Sequence, residues 1–145
     1  MRSKFQLRIL LACLAFMTAS GIASAQAPAP ATLIKQGDEQ WAAGQLDLAQ
    51  KTFERAVSAD PRSVTARMKL GGLQLSRQDF KACIETYQQT IGLDSKNAKA
   101  WLGLGFAYLH TGKNDMSLAA FNEAIRADPG NKEKLASVMA KLGSP

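Results

Sequence analysis

The stretch WLGLGFAYLHTGK, from Trp101 to Lys113, combines glycines with a lysine, as the loops that cradle phosphates do. Such a loop follows the pattern G-x-x-x-x-G-K-[ST] and comes directly after a strand. Here six residues separate Gly105 from Gly112, and Asn114 follows the lysine. No strand-like run precedes the stretch. The spacing therefore predicts structural glycines and no phosphate site.

Histidine and cysteine are scarce, which limits catalytic and metal-binding chemistry. The chain contains one histidine, His110, and two cysteines, Cys13 and Cys83. A zinc site needs several such ligands together, and no acidic cluster stands near them at ligand spacing. A Ser-His-Asp triad is recognised by geometry, so composition leaves it open. We expect no enzyme activity, no cofactor and no metal, with His110 at a solvated rim. Cys83 is expected to be an inert core residue, with a reactive thiol or an intermolecular disulfide as the alternative.

The N-terminal segment 1–25 has the three parts of a secretory signal peptide. A start with three cations precedes the apolar run 9–17, and Ala-Ser-Ala at 23–25 forms the cleavage pattern. The apolar run is too short to cross about 30 Å of hydrocarbon. We expect cleavage after Ala25 and no stable membrane insertion afterwards. A retained anchor is one alternative, and lipidation of Cys13 in the box LLAC is another.

Much of the positive charge belongs to this leader. The whole chain has a formal net charge of +6, whereas residues 26–145 carry 15 lysines and arginines against 12 aspartates and glutamates, a net charge of +3. These charges are dispersed, without a basic block interleaved with aromatics, so nucleic acid is not an expected partner. After cleavage one cysteine remains, which excludes an intramolecular disulfide.

Beyond a Pro/Ala linker at 26–30, which favours an extended conformation, the sequence repeats at a constant spacing. Three series share this spacing, one aromatic, one of glycines and one of small residues: Phe53, Tyr87 and Phe121; Gly37, Gly71 and Gly105; Ala49, Cys83 and Ser117. The period, the distance in sequence from Phe53 to Tyr87, is about 34 residues, and a period of this length is typical of stacked helix pairs. We expect each glycine of a first helix to face the small residue of the second, so that the two backbones approach closely. The aromatic residues are expected to wedge between neighbouring repeats.

Boundary residues recur with the same period and divide the chain. Turn residues are expected between the two helices of each repeat, at Gly44, Gln78 and Gly112. Prolines end two second helices, at Pro61 and Pro129. N-cap residues for the following helices are expected at Ser63, Asn97 and Asn131. The predicted repeats are 31–63, 64–97 and 98–131, and a capping helix follows at 132–143. The apolar stripe of that helix is Leu135, Val138, Met139 and Leu142.

The third copy carries the most distinctive motif. Its residues fit W-x2-L-G-x2-Y followed by Phe, Ala and Pro: Trp101, Leu104, Gly105, Tyr108, Phe121, Ala124 and Pro129. In these residues the sequence resembles the tetratricopeptide repeat (TPR) family, and the resemblance covers residues 31–131. The other copies depart from the motif at Gln36, Gln40, Arg67 and Gln74, and Ser95 replaces a proline. The resemblance implies an all-α superhelix, a solenoid of three helix-turn-helix repeats plus a C-terminal capping helix.

The resemblance also implies a binding surface on the concave wall built from the first helices. The family's partner-binding positions fall on Ile34, Trp41, Met68, Leu75, Lys99, Leu102, Phe106 and Leu109, accompanied by Asp38, Gly72 and His110. This wall is mainly apolar. Family members that clamp a terminal carboxylate use asparagines where this chain has Gly72 and Phe106, so carboxylate clamping is not expected.

These positions imply a non-catalytic protein-interaction module, an adaptor, scaffold or assembly factor, that holds a partner peptide or amphipathic helix. The alternative is a self-associating structural element that oligomerises through the groove or the capping helix. An enzyme or a small-ligand carrier would need a polar pocket converging on His110. The leader, together with the family's use in cell envelopes, implies an exported protein of a Gram-negative periplasm, with a secreted or envelope-associated protein as the alternative.

Overall fold

The computed structural model describes residues 28–143, and every regular element in that range is an α-helix. The seven helices are α1 (Pro30–Ala42), α2 (Leu46–Ala59), α3 (Val64–Ser76), α4 (Phe80–Leu93), α5 (Ala98–His110), α6 (Asn114–Ala127) and α7 (Asn131–Leu142). They form three helix pairs followed by a final helix, which is the solenoid with a capping helix that the sequence predicts. The signal peptide, the cleavage site and Cys13 lie outside the described residues.

The curvature follows from which helices touch. Each helix packs against the next along the chain, and the first helices of neighbouring repeats also touch, α1 with α3 and α3 with α5. Within residues 28–143 the second helices α2, α4 and α6 make no such contacts with one another. Elements that touch lie on the inside of a curve and elements that are spread apart lie on the outside. The first helices therefore form an inner wall and the second helices an outer face.

Left-handed residues close the turn inside each pair. The three predicted turn residues have positive φ angles, 74° at Gly44, 62° at Gln78 and 72° at Gly112. Glycine adopts this conformation without a steric cost, whereas a residue with a side chain does so less easily. At Gln78 the turn is held by backbone bonds, since its N–H and that of Asp79 donate to Leu75 and Gln74.

The turns between repeats depend on aspartate more than on proline. The side chains of Asp60, Asp94 and Asp128 each accept a bond from the backbone N–H two residues later, at 3.0, 3.2 and 3.0 Å. This Asx geometry forms equally well at Asp94, where Ser95 replaces the proline of the other two copies. The departure from the family motif at Ser95 therefore leaves the turn intact.

Two of the three predicted N-caps are confirmed and one is wrong. Ser63 Oγ accepts from the backbone N–H of Ala66, and Asn97 Oδ1 accepts from that of Ala100. Asn131 instead is the first residue of α7, behind Gly130, and its side chain makes no cap bond. Its buried Nδ2 donates to the carbonyl oxygen of Ala124, so Asn131 satisfies the end of the preceding helix.

Each glycine of the periodic series lies beneath an aromatic ring. A side-chain carbon added at Gly37 or Gly105 would lie less than 3.0 Å from the ring of Phe53 or Phe121, both completely buried. The expected small residue is also present, since Ser117 Oγ donates to the carbonyl of Gly105 at 2.9 Å. The sequence thus places the small residue correctly, but the missing side chain makes room for a ring. We call this arrangement the ring-on-glycine contact.

Tyr87 makes this contact across a repeat boundary as well. Its ring would collide with an added carbon at Gly103 of the following repeat and would come within 3.0 Å of one at Gly71 of its own. The wedge between repeats that the sequence predicts is confirmed here. In α7 the register position equivalent to Gly105, one period further along the chain, is Met139, which is half-buried.

Replacing Gly105 by alanine tests the ring-on-glycine contact. Because Phe121 is buried and cannot withdraw, we expect Gly105→Ala to lower the free energy of unfolding by about 2–3 kcal/mol in urea titrations. Gly92, also helical, has open space around its missing side chain and is the matched control. Gly92→Ala should raise the free energy of unfolding by about 0.5–1 kcal/mol. Equal effects at the two sites would contradict this explanation.

Candidate functional site

The positions carried over from the family lie on α1, α3 and α5, the helices of the inner wall. Lys99 is exposed, and the other seven are half-buried: Ile34, Trp41, Met68, Leu75, Leu102, Phe106 and Leu109. A half-buried side chain packs partly against the core and faces solvent with the rest. How much of it a partner could contact therefore depends on which core residues it packs against.

In the first two repeats these side chains mainly support the core. Trp41 sets its ring edge-on to Phe53, with the ring centroids 6.3 Å apart. Ile34 packs on the cluster around Leu33, and Met68 and Leu75 pack on the cluster that contains Tyr87. They therefore present only part of their surface to the wall.

The third repeat offers the freest apolar surface. Leu102 and Leu109 are half-buried yet belong to none of the three buried clusters among residues 28–143. Phe106, between them in sequence, meets Phe121 edge-on at 5.1 Å. These three residues, with the exposed Lys99 at the start of α5, form what we call the inner apolar strip.

Polar groups of the wall are paired with each other. Lys69 Nζ on α3 lies 2.8 Å from Asp38 Oδ2 on α1, and both side chains are 39% exposed. This ion pair bridges two first helices and neutralises the lysine. Gly72 lies under the ring of Trp41, since a carbon added there would be 3.4 Å from Trp41 Cη2. Gly72 and Phe106 thus stand where the family's carboxylate clamp has asparagines, and Lys99 at the start of α5 is the exposed cation among the carried-over positions.

His110 is exposed at the last residue of α5, on the rim of the wall. Its Nδ1 lies 2.8 Å from the carbonyl oxygen of Phe106 and must carry the proton, because a carbonyl can only accept. The ring stacks on Phe80 of α4, with the centroids 4.9 Å apart. Phe80 was not identified from the sequence, because it stands at the start of a second helix, outside the family's wall positions.

Two further properties of residues 28–143 concern metal binding and membrane spanning. No three His, Cys, Asp or Glu side chains there are grouped in a way that could hold a metal ion. Nor does any helix in that range combine the length and the apolarity needed to cross a membrane.

Cys83 is completely buried, and its Sγ donates to the carbonyl of Gly71 at 3.6 Å. Burial, and to a lesser degree the nearby Asp79 carboxylate, raises the pKa of the thiol from 9.0 to about 12. Burial also raises the pKa of Tyr87. Because the thiolate is the reactive form, the folded protein holds Cys83 in an inert state.

The family to which the chain belongs is shown by direct comparison. The family model for the tetratricopeptide repeat matches residues 34–97 and 74–132. These matches cover well over half of the chain, which therefore belongs to the tetratricopeptide repeat family. Protein bimA of Emericella nidulans is 31% identical over 85 residues, which are 59% of this chain and 10% of bimA.

Two solved structures show the same fold. The OM64 TPR domain of Arabidopsis has a TM-score of 0.73 at 19% identity, covering 79% of this chain and 93% of that domain. The second TPR domain of human RPAP3, in complex with the HSP70 peptide SGPTIEEVD, has a TM-score of 0.71 at 21% identity, covering 80% and 99%. The chain spans 10% and 12% of the lengths of two curated relatives, bimA and anaphase-promoting complex subunit 3 of Schizosaccharomyces pombe.

The reactivity of Cys83 tests its burial. With the pKa raised from 9.0 to about 12, the thiolate fraction below pH 9 should be roughly 1,000-fold lower than in the unfolded chain. We expect iodoacetamide to label Cys83 at pH 8 only as fast as the protein unfolds, and rapidly in denaturing urea. Because the folded pKa is the higher one, this thiol's contribution to stability is complete below pH 9 and is lost as the pH rises toward 12. Rapid labelling without denaturant would contradict burial.

Proposed function

We propose that this protein is a non-catalytic interaction module that holds an apolar peptide, or the apolar side of an amphipathic helix, against its inner wall. The inner apolar strip carries the proposal, because Leu102 and Leu109 keep exposed surface on the concave side without belonging to a core cluster. Helices that bind in a groove present apolar anchors at helical spacing, which such a strip fits.

A partner held in this way would be captured reversibly. Covering some 400 Å² of apolar surface would contribute roughly 10 kcal/mol at about 25 cal/mol per Å². Association itself costs on the order of 4–15 kcal/mol. The balance is at most about 6 kcal/mol, which corresponds to a Kd of tens of micromolar at best and suits an adaptor or assembly factor that releases its partner.

The complex of human RPAP3 with the HSP70 peptide SGPTIEEVD supports an interaction role for this fold. That peptide ends in acidic residues and a terminal carboxylate. In this chain Gly72 and Phe106 replace the clamp asparagines, and Lys69 is already paired with Asp38. We therefore propose an apolar ligand in place of an acidic C-terminus.

The place of action that we propose is the cell envelope. Residues 1–25 have the pattern of a secretory signal peptide, and cleavage would release a chain that begins with the Pro/Ala linker. In a Gram-negative bacterium this route leads to the periplasm, where the module would hold partner proteins during assembly or secretion.

Serine substitutions in the strip test the inner wall. Leu102→Ser with Leu109→Ser should weaken binding of a leucine-striped amphipathic peptide at least tenfold, because apolar contact is lost where no core packing is disturbed. Fluorescence anisotropy of the labelled peptide measures binding, and circular dichroism measures helicity. Leu48→Ser is the matched control, since Leu48 is 49% exposed on the outer helix α2. Unchanged affinity in the strip variant would refute inner-wall binding, and SGPTIEEVD should bind more weakly than the apolar peptide.

Self-association is a second candidate because α7 has no helix packed over its far side among the described residues. Leu135 is buried against the array, whereas Val138, Met139 and Leu142 are only half-buried. Pairing of α7 with a second copy would cover this stripe. Light scattering over a range of protein concentrations separates the candidates, since a mass that stays monomeric excludes oligomerisation through the groove or α7.

A further inference from the structure

A depression of about 380 Å³ lies on the outer face, between α4 and α6, with α5 as its floor. We call it the outer slot, and its apolar lining includes Ile91, Trp101, Leu104, Tyr108, Met116 and Ala119. Met116, on its rim, is 46% exposed. The polar atoms of the two rings each have a hydrogen-bond partner, since Trp101 Nε1 donates to the carbonyl of Ser95 and Tyr108 Oη accepts from Gln88 Nε2, both at 2.9 Å. What remains for a ligand is mainly apolar surface.

The preceding repeat boundary shows that the fold does not require this apolar lining. One period earlier, between α2 and α4, the chain has Arg67 in place of Trp101, Gln74 in place of Tyr108 and Glu85 in place of Ala119. The Arg67 guanidinium donates to the carbonyl of Pro61 and to Gln89 Oε1, and these hydrogen bonds fix the Arg67 side chain at this boundary. The same backbone thus accepts a polar boundary in one place and an apolar, open one in the other.

Cations stand at both ends of the outer slot. Lys113 Nζ lies 5.8 Å from the centroid of the Tyr108 ring at one end. At the other end, an adjoining depression that shares Glu123 with the slot is lined by Lys96 and Arg126. Glu123, whose carboxylate is the one in the slot, and Arg126 neutralise each other at 2.9 Å, which leaves Lys113 and Lys96 to attract an anionic ligand. An occupant with carboxylates near its ends would therefore be favoured.

We propose that the outer slot is a second docking site, which takes an acidic amphipathic helix of a partner protein. A bulky apolar side chain of that helix fills the space over Trp101, and its carboxylates face Lys113 on one side and Lys96 on the other. A second copy of this chain fits less well, because residues 26–145 carry a net charge of +3 and the half-buried stripe of α7 is flanked by lysines. This site is independent of the inner wall and would let the module join two partners.

The test uses the purified Leu102→Ser/Leu109→Ser variant, in which the inner apolar strip no longer holds a leucine-striped peptide, and a synthetic amphipathic helix with a leucine stripe and a glutamate face. We expect micromolar binding by fluorescence anisotropy, weakening as salt is raised, and binding at least tenfold weaker when lysines replace the glutamates. Adding Ala119→Glu to this variant should weaken binding of the acidic helix at least tenfold. It copies Glu85 of the preceding repeat, so the fold tolerates it. Glu85→Ala is the matched control and should leave the affinity unchanged.

Combination with the strip variant separates the two sites. The strip variant should still bind the acidic helix through the outer slot, and the variant that also carries Ala119→Glu should not. Loss of binding in the strip variant, or its persistence when Ala119→Glu is added, would overturn the outer site. Failure of the acidic helix to bind at all would do so as well. A concentration-dependent dimer that Ala119→Glu abolishes would assign the slot to a second copy and also refute the proposal.

Discussion

The structure depends on aromatic rings that occupy the places of missing glycine side chains. In each repeat an aromatic ring lies over the glycine of the same repeat, namely Phe53, Tyr87 or Phe121. The two helices of a pair can pack this closely only because the glycine has no side-chain carbon to collide with the ring. The rings are almost completely buried and therefore fix the separation and the rotation of the helices. Since the contact recurs once in every repeat, it sets the geometry of the whole array.

That geometry gives the two sides of the array different characters. First helices touch along the inside, so their side chains form a continuous wall in which an ion pair such as Lys69–Asp38 can bridge two repeats. Second helices are spread apart on the outside, and the gaps between them expose the faces of the first helices beneath. The lining of such a gap differs between repeats, with Arg67 bound to the carbonyl of Pro61 in one and Trp101 lining the outer slot in the next.

The sequence predicted the fold well because periodicity survives substitution at individual positions. The helices of the three repeats, α1 to α6, and their turns follow the constant spacing, even where Ser95 replaces proline. The N-cap expectation failed at Asn131 because capping depends on where the helix starts, and α7 starts one residue earlier than the register implies. Periodicity gives an equivalent position, but it does not give the backbone geometry at the end of an array.

The candidate site was less predictable for a related reason. The family resemblance placed eight residues on the inner wall, but it could not distinguish Trp41, which rests on Phe53, from Leu102, which belongs to no core cluster in the described part of the chain. That difference depends on the size of neighbours from other helices. The outer slot was missed because its lining comes from three helices. The sequence signal that could have revealed the slot is the difference between repeats at equivalent positions, where Arg67 corresponds to Trp101 and Glu85 to Ala119.

Met139 has a consequence for how such an array could grow. It stands where the three repeats have a glycine beneath an aromatic ring. A further second helix packed on α7 would have to bring its ring against the Met139 side chain, the same clash that an added carbon at Gly105 makes with Phe121. Extending the array from α7 would therefore require a small residue in place of Met139.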